Sequence, residues 1–560
     1  MKSFLKNICT FLKQNIYYFV YIFFILLIIY PIFLKSGHIF LIDFYLAFYK
    51  NININNIFDI LLKVLNYFFT INVLSRLYIV ASLFLICLGA KSIVSVFTKN
   101  KAIISFLPLF ALINPFTYDR FGNGQFAFLL GFAFAMFAVA YLLRYFLDIN
   151  NDKFFLKIIN KNFFLFSLFF ALSIAASNHF IFLMGLFYLI FLFFYFVKNK
   201  FSRKSFFEFL LLNFIALFLI FFINIPILYS LLINNGNLIN FVNNIKDSHF
   251  LIASNNFTQT LFFNLNNSGM FTENGVNYKS LNLEYNSVVL VSAFSVIFIL
   301  FVFGIRQAII KYKKNSYVFL SLMFVFLLSL VLSFGNSFCF NKLANFNYSH
   351  IPFFNGMREA TKFNLDMCII YLIFISIAVD WIFNKIKTQK IQYLTASALV
   401  LIFCLRAPFL LFGFWGQFKI YDYPNDWYRT DSYLKDELKC DGKMLFLPFE
   451  DYIDFDIYRS RDNRPNIIHN FIGSFFSCNV VTGLSVSAFV DSDVNKYRMI
   501  VDIKNSLNDG FDLNNILEKH NIKYVILGKF NNYKHYIELL NQSNFIKVTN
   551  FKSFEIYKHQ

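Results

Sequence analysis

Asp119 and Arg120 stand side by side in NPFTYDRFGNGQ (Asn114–Gln125), between an apolar run ending near Ile113 and another beginning near Phe126. Ionisable groups at the rim of a membrane bundle cost free energy and are kept mainly where they meet ions, substrates or partners. The bland reading is a hairpin loop in which the two charges neutralise each other. The Asn, Pro and Gly around them predict that the chain turns here instead of continuing as helix. Asp43, in GHIFLIDFYLAF, is an acid in an otherwise apolar stretch. Burial there could tune a carboxylate into a base, or two carboxylates could hold a divalent cation. Its alternative is an interfacial acid with no task. Asp59 ranks behind it, on an amphipathic face beside Lys63.

A second charged string, MREATKFNLD, holds Arg358, Glu359 and Lys362. Arg358 and Lys362 are four apart and share a face if the helix has already begun. Two cations at a helix start suit a phosphate. Headgroup anchoring by snorkelling side chains is the competing reading. His179, in SNHF, is a lone histidine at a hairpin tip, where a hydrogen-bonded structural residue is commoner than a ligand.

These residues need a membrane frame to hold them. Of 560 residues, 58% are hydrophobic and only 14% charged, and the mean hydropathy is +0.58. Apolar runs recur at spanning length, which predicts a polytopic α-helical membrane protein of about eleven spans. The 85 phenylalanines rise together with Ile, Asn and Lys, which reads first as coding bias. The net charge of +19 does not point to nucleic acid, because Lys and Arg cluster in short segments between apolar runs, where they set topology. The first apolar run lacks a small-residue cleavage site and reads as a signal anchor.

Lys2, Lys6 and Lys13 keep the N-terminus inside, and the first span runs outward. Segments near Ile39–Tyr49 and Ile54–Phe69 look amphipathic, suited to the membrane surface. The fifth and sixth spans meet at Ser177–His179. Outer loops fall at about 35–75, 114–125, 229–285 and 335–362, with the inner loops short and basic. This places a membrane domain over 1–414 and a soluble α/β domain over 415–560, outside the membrane. The Asn-rich loop near Tyr229–Tyr285 is either a lid or drifted, tolerant sequence, and the drifted reading is preferred.

In the C-terminal part, LKDELKCDGKMLFLPFE and NNILEKHNIKYVILGKF each read as helix, turn and buried strand, and FIKVTNFKSFEIYK as a final hairpin. No glycine-rich phosphate loop or GxSxG elbow is present there. The seven cysteines show no metal-ligand spacing. Cys440 and Cys478 could pair if this part lies outside the cytoplasm, an option that the sequence leaves open.

The Asn114–Gln125 string, REATKF at Arg358–Phe363, Tyr423–Trp427 (YP-x₂-W) and LPFE at Leu447–Glu450 together resemble the GT-C superfamily of membrane glycosyltransferases. The likeness is to a group of prokaryotic multi-pass proteins with NPF-x-YDR and REPQKF-like strings and a C-terminal soluble part. REATKF departs from the usual string in lacking its Pro and Gln, and LPFE has Phe for Trp. The first loop offers a single Asp43 without a paired acid.

The resemblance implies transfer of a sugar from a polyprenyl-phosphate-type donor to a glycan, lipid or protein acceptor at the outer face of the plasma membrane, by inverting displacement. Asp43 would be the base, Asp119 would orient the acceptor or share a Mg or Mn ion with Asp43, and Arg120, Arg358 and Lys362 would bind the lipid phosphate. Tyr118, Gln125, His179 and Glu359 are weaker candidates. Against it stand a transporter, disfavoured because the charges sit at the rim and not the midplane, and a non-catalytic scaffold of the same fold.

Overall fold

The computed structural model describes residues 15–34, 37–39, 41, 56–148, 160–200, 202–226, 257–269, 287–337, 340–351, 354–357, 359–417, 420–450, 452–455, 467–483, 494–509, 513–530, 533–542 and 545–559. Asp43 and Arg358, and with them most of the expected surface segment Ile39–Tyr49, lie outside these residues.

The membrane part is a helical bundle. Among the described residues six helices are long and apolar enough to cross a bilayer: Ile71–Phe97, Phe126–Asp148, Phe180–Lys198, Val288–Lys311, Lys313–Ser333 and Ala360–Lys385. The number rises to eight if two bent pairs each count as one span. Three of the expected spans correspond to shorter apolar helices, Ile16–Ile29, Lys161–Ala176 and Asn213–Ile223. Ala360–Lys385 is 89% buried over its apolar window and Phe126–Asp148 78%, so these two form the centre and the others wrap them. At the ends rich in Lys and Arg, cations settle on aromatic faces: Lys91 Nζ lies 3.7 Å from the Tyr17 ring and Lys198 Nζ 4.2 Å from that of Tyr317.

The bent pairs lie side by side. Helices Lys101–Phe106 and Leu109–Leu112 lead into Pro115–Gly122 with a 47° bend, and Gln389–Arg406 leads into Pro408–Trp415 with an 88° bend. Residues 412–416 of the second pair all have positive φ, and Gly413 packs so closely on Pro31 that a Cβ would collide. That left-handed turn sets the Phe414 ring 5.2 Å from Tyr118 and 4.6 Å from Phe121.

One expected feature differs. Asn114–Gln125 is not an outer hairpin loop but a buried helix, Pro115–Gly122. Pro at the first helical position needs no N–H partner, and the Asn before it is a strong cap, so these residues start a helix as readily as they break one. The second amphipathic segment is present as helix Ile57–Leu65, with Ile57, Ile60, Leu61 and Val64 exposed. There Asp59 closes a capping box with Asn56, a structural task.

The C-terminal part is a three-layer α/β unit. Its five-stranded sheet has the order β6-β3-β7-β9-β8, from Lys443–Leu447 (β3), Val480–Val481 (β6), Ile522–Gly528 (β7), Phe545–Asn550 (β8) and Phe554–His559 (β9). β3 is parallel to β6 and β7, while β7–β9 and β9–β8 are antiparallel. Alternation along the strands fills both faces. Met444, Phe446 and Ile526 join Trp427 and Leu434 of helix Asn425–Asp436, while Leu445, Leu447 and Leu527 join Ile503, Leu517 and Leu540 on the other side. A Cys440–Cys478 disulfide ties the first helix's exit to the approach to β6. A small ladder, His38–Ile39 (β1) with Ile420–Tyr421 (β2), joins the base of the first loop to the start of this part. A separate pair, Tyr452–Asp454 (β4) and Ile467–His469 (β5), completes the strands.

Candidate functional site

Asn114 holds the break ahead of the Asp119 helix. Its Oδ1 accepts from Thr117 N at 3.0 Å, capping the new helix, and its Nδ2 donates to the carbonyls of Phe110 and Ala111, closing the old one. Thr117 Oγ1 adds a bond to the Ala111 carbonyl at 2.8 Å. A break inside a membrane bundle survives only when the freed backbone groups are satisfied, and here one asparagine does most of it.

The helix delivers Asp119 and Arg120 into the protein. Arg120 is 0% exposed. Its Nη1 donates to Gln125 Oε1 at 2.6 Å and to Glu359 Oε2, its Nη2 reaches Thr361 Oγ1 at 3.3 Å, and its plane lies over Phe116 and Phe128. The ion pair of Arg120 is therefore with Glu359, 239 residues away in sequence. Asp119 Oδ2 accepts from Gly269 N at 2.7 Å.

Lys362 does not snorkel. It is buried, in the 3-10 turn Ala360–Phe363 that precedes helix Asn364–Lys385, so the expected helical face shared with Arg358 has not begun there. Its Nζ donates to His179 Nε2 at 2.7 Å and to the Gly356 carbonyl at 3.2 Å, and lies 3.7 Å from Glu359 Oε2. An ammonium only donates, so His179 Nε2 is the acceptor and the imidazole proton sits on Nδ1, donating to Ser177 Oγ at 2.8 Å. Burial first, and then the Lys362 charge, hold the His179 pKa well below its ordinary value. Burial alone would raise the Glu359 carboxyl, but Lys362 and then Arg120 outweigh it, and its pKa falls below the usual carboxylate range.

A third segment completes the cluster. Helix Phe257–Leu265 ends in the turn Asn264–Gly269, whose polar residues are almost fully buried. Thr361 Oγ1 donates to the Gly269 carbonyl at 2.7 Å, Asn364 Nδ2 to the Ser268 carbonyl at 2.7 Å, and Arg406 to Asn266. A Cβ on Gly269 would meet Asp119 Cβ and the Phe116 carbonyl, each at 2.8 Å, so only glycine fits so near the acid. This part of the Asn-rich loop is a packed component of the site and not drifted sequence. The signal available was Ser-Gly after a run of small amides at the end of an amphipathic stretch.

Asp119, Arg120, Gln125, His179, Glu359 and Lys362 thus come together, while the Tyr118 ring packs on Phe414. Sequence reasoning missed Thr361, Asn364, Arg406 and the Asn264–Gly269 turn. Arg406, a lone charge in an apolar run, was the one of these visible in advance. Among the described residues no three His, Cys, Asp or Glu side chains gather to hold a metal. Asp119 is the single described donor of the expected Mg or Mn pair, and one of its oxygens is bonded to backbone.

The bundle is that of a multi-pass membrane protein. No protein-family profile matches the chain, and no curated protein matches it by sequence. Among solved structures it is similar to the arabinofuranosyltransferase AftD from mycobacteria, with a TM-score of 0.56 at 11% identity over 97% of this chain. A mutant of AftD superposes with a TM-score of 0.55 at 12% identity. The chain spans about 40% of the length of AftD. At such identity the likeness is one of fold.

Proposed function

We propose that this protein is a membrane glycosyltransferase that moves a sugar from a polyprenyl-phosphate donor to an envelope glycan, lipid or protein acceptor on the outer face of the membrane. The observation that carries the reading is convergence. The Asn114–Gln125 string, the REATKF string and the Asn264–Gly269 turn meet in one buried polar cluster within a glycosyltransferase fold. The Cys440–Cys478 disulfide adds support for an extracytoplasmic C-terminal part, since such bonds persist in oxidising compartments.

In this reading Asp43 takes the proton of the acceptor hydroxyl, whose oxygen attacks the anomeric carbon. The bond from that carbon to the phosphate oxygen breaks, the configuration inverts, and polyprenyl phosphate leaves with the electron pair. General-base help of this kind is worth about 10²–10⁴-fold. Asp119, held by the Gly269 N–H, orients the acceptor. Arg120 and Lys362, whose charges are met by Glu359, position the helix bearing Asp119, and Arg358 remains the candidate at the phosphate.

The test is complementation. In a strain lacking this protein, the wild-type chain restores a missing envelope sugar, while properly inserted Asp43→Asn and Asp119→Asn variants do not. Full restoration by both variants would favour the second reading, a scaffold without catalysis. The commitment of both Arg120 and Lys362 to Glu359 is the observation on that side.

A further inference from the structure

Arg120 and Lys362 share the Glu359 carboxylate, whereas Arg406 has no such balance. It closes helix Gln389–Arg406, is 0% exposed, and among the described residues has no carboxylate partner. A buried guanidinium without a counter-anion is costly and marks a functional site by default. Its Nε–Nη2 edge is filled by a single neutral residue. Nε donates to Asn266 Oδ1 at 3.0 Å and Nη2 to the Asn266 carbonyl at 2.9 Å, while Nη1 has no partner. Two N–H groups side by side, aimed at two oxygens, are how arginine takes a phosphate or carboxylate. Here the two oxygens of one asparagine occupy the fork.

The turn that carries Asn266 is itself poorly satisfied. Asn267 sits at φ 61°, in the left-handed region, with both ends of its buried amide unpaired. Asn264 Nδ2 and Asn364 Oδ1 also lack partners. Buried amides left unpaired beside a buried charge mark a place where other polar groups belong. Three residues beyond Asn266, the same turn gives its Gly269 N–H to Asp119. One short turn therefore caps both the uncompensated cation and the candidate acid.

We propose that Asn264–Gly269 is a plug and that Arg406 beneath it is a seat for phosphate oxygens, taken when Asn266 is displaced. Assigning that phosphate to a polyprenyl-linked donor rests on the glycosyl-transfer reading, whereas the seat itself rests on the fork and its missing counter-charge. An entering phosphate supplies the anion that Arg406 lacks and releases Asp119 from the turn in the same movement.

The experiment is equilibrium binding to the full chain in nanodiscs, using a fluorescent short-chain polyprenyl monophosphate, the matching polyprenol and inorganic phosphate as competitor. The wild type binds the phosphate and not the alcohol. Arg406→Gln weakens binding about tenfold or more, and Arg406→Lys recovers only part of it because it lacks the fork. Asn266→Ala tightens binding about three- to tenfold, since a competing acceptor is gone.

The opposite signs decide the matter. A purely structural Arg406–Asn266 staple predicts that neither variant improves binding. Should Arg406→Gln fail to fold, Asn266→Ala and Arg406→Lys carry the comparison. Weaker or unchanged binding in Asn266→Ala, unchanged binding in a folded Arg406→Gln, or no binding by the wild type overturns the proposal. Competition by inorganic phosphate at equal concentration assigns the seat to free phosphate, and its failure to compete assigns it to the lipid headgroup. Binding is read without turnover, so its failure leaves the transfer reading to its own assay.

Discussion

Replacing Glu359 by Gln keeps the side chain's shape and an acceptor for Arg120 but removes the charge that two buried cations share. Arg120 has 0% side-chain exposure and Lys362 6%, so neither is rescued by water, and the neutral His179 beside Lys362 offers no countercharge. Removing one partner of a buried ion pair costs about 3–5 kcal/mol. Glu359 is itself 12% exposed and Gln retains one hydrogen bond, which places the expected loss near the lower end, about 3 kcal/mol. The assay is reversible unfolding in mixed detergent–SDS micelles, followed by helical circular dichroism. The double variant Glu359→Gln/Lys362→Met removes one surplus cation and recovers at least about 1 kcal/mol, because the two sites are coupled. A Glu359→Gln protein within about 0.5 kcal/mol of wild type, a difference ordinary for a surface change, would refute the buried-pair reasoning.

Three further outcomes follow from the same geometry. His179 is held neutral by burial and Lys362, so the unfolded chain gains a proton below its ordinary pKa of about 6.5 that the folded chain does not. Stability therefore falls as pH drops below that value, by at most about 1.4 kcal/mol per pH unit. His179→Gln flattens the slope, and identical slopes in both proteins between pH 7.5 and 5.5 would contradict it. Gly269→Ala forces the turn off Asp119 and Phe116 and costs about 1–3 kcal/mol in the same unfolding assay; an unperturbed variant would mean that the turn has room. Cys440→Ser opens a bridge spanning 38 residues and lowers the stability of the C-terminal part by about 2–4 kcal/mol, read as a drop in its melting temperature. An unchanged melting temperature would mean that the unfolded chain gains nothing from the lost constraint.

The bundle was legible because apolar length and clustered Lys and Arg are local signals, and the helix–turn–strand repeats of the C-terminal part were legible for the same reason. The Asn114–Gln125 break was legible as a break, but its capped, buried helix was not, because Asn and Pro serve turns and helix starts alike. Glu359 drew little weight, since its partner Arg120 lies in another motif and an ion pair across the chain leaves no local mark. The Lys362 position invited a snorkelling reading that only tertiary packing overrules. Asn264–Gly269 was hidden by composition, as amides in an Asn-rich chain look like drift until their carbonyls are seen in contact with Thr361, Asn364 and Arg406.

The most direct test of the central claim is release of polyprenyl phosphate by the purified full chain in proteoliposomes. The measurement supplies a panel of polyprenyl-phosphate sugars with envelope glycan acceptors and compares the wild type with Asp43→Asn and Asp119→Asn. Glycosyl transfer predicts that one donor yields polyprenyl phosphate and extended acceptor in equal amounts with the wild type, and that both variants lose the reaction. Equal release from all three proteins would contradict it.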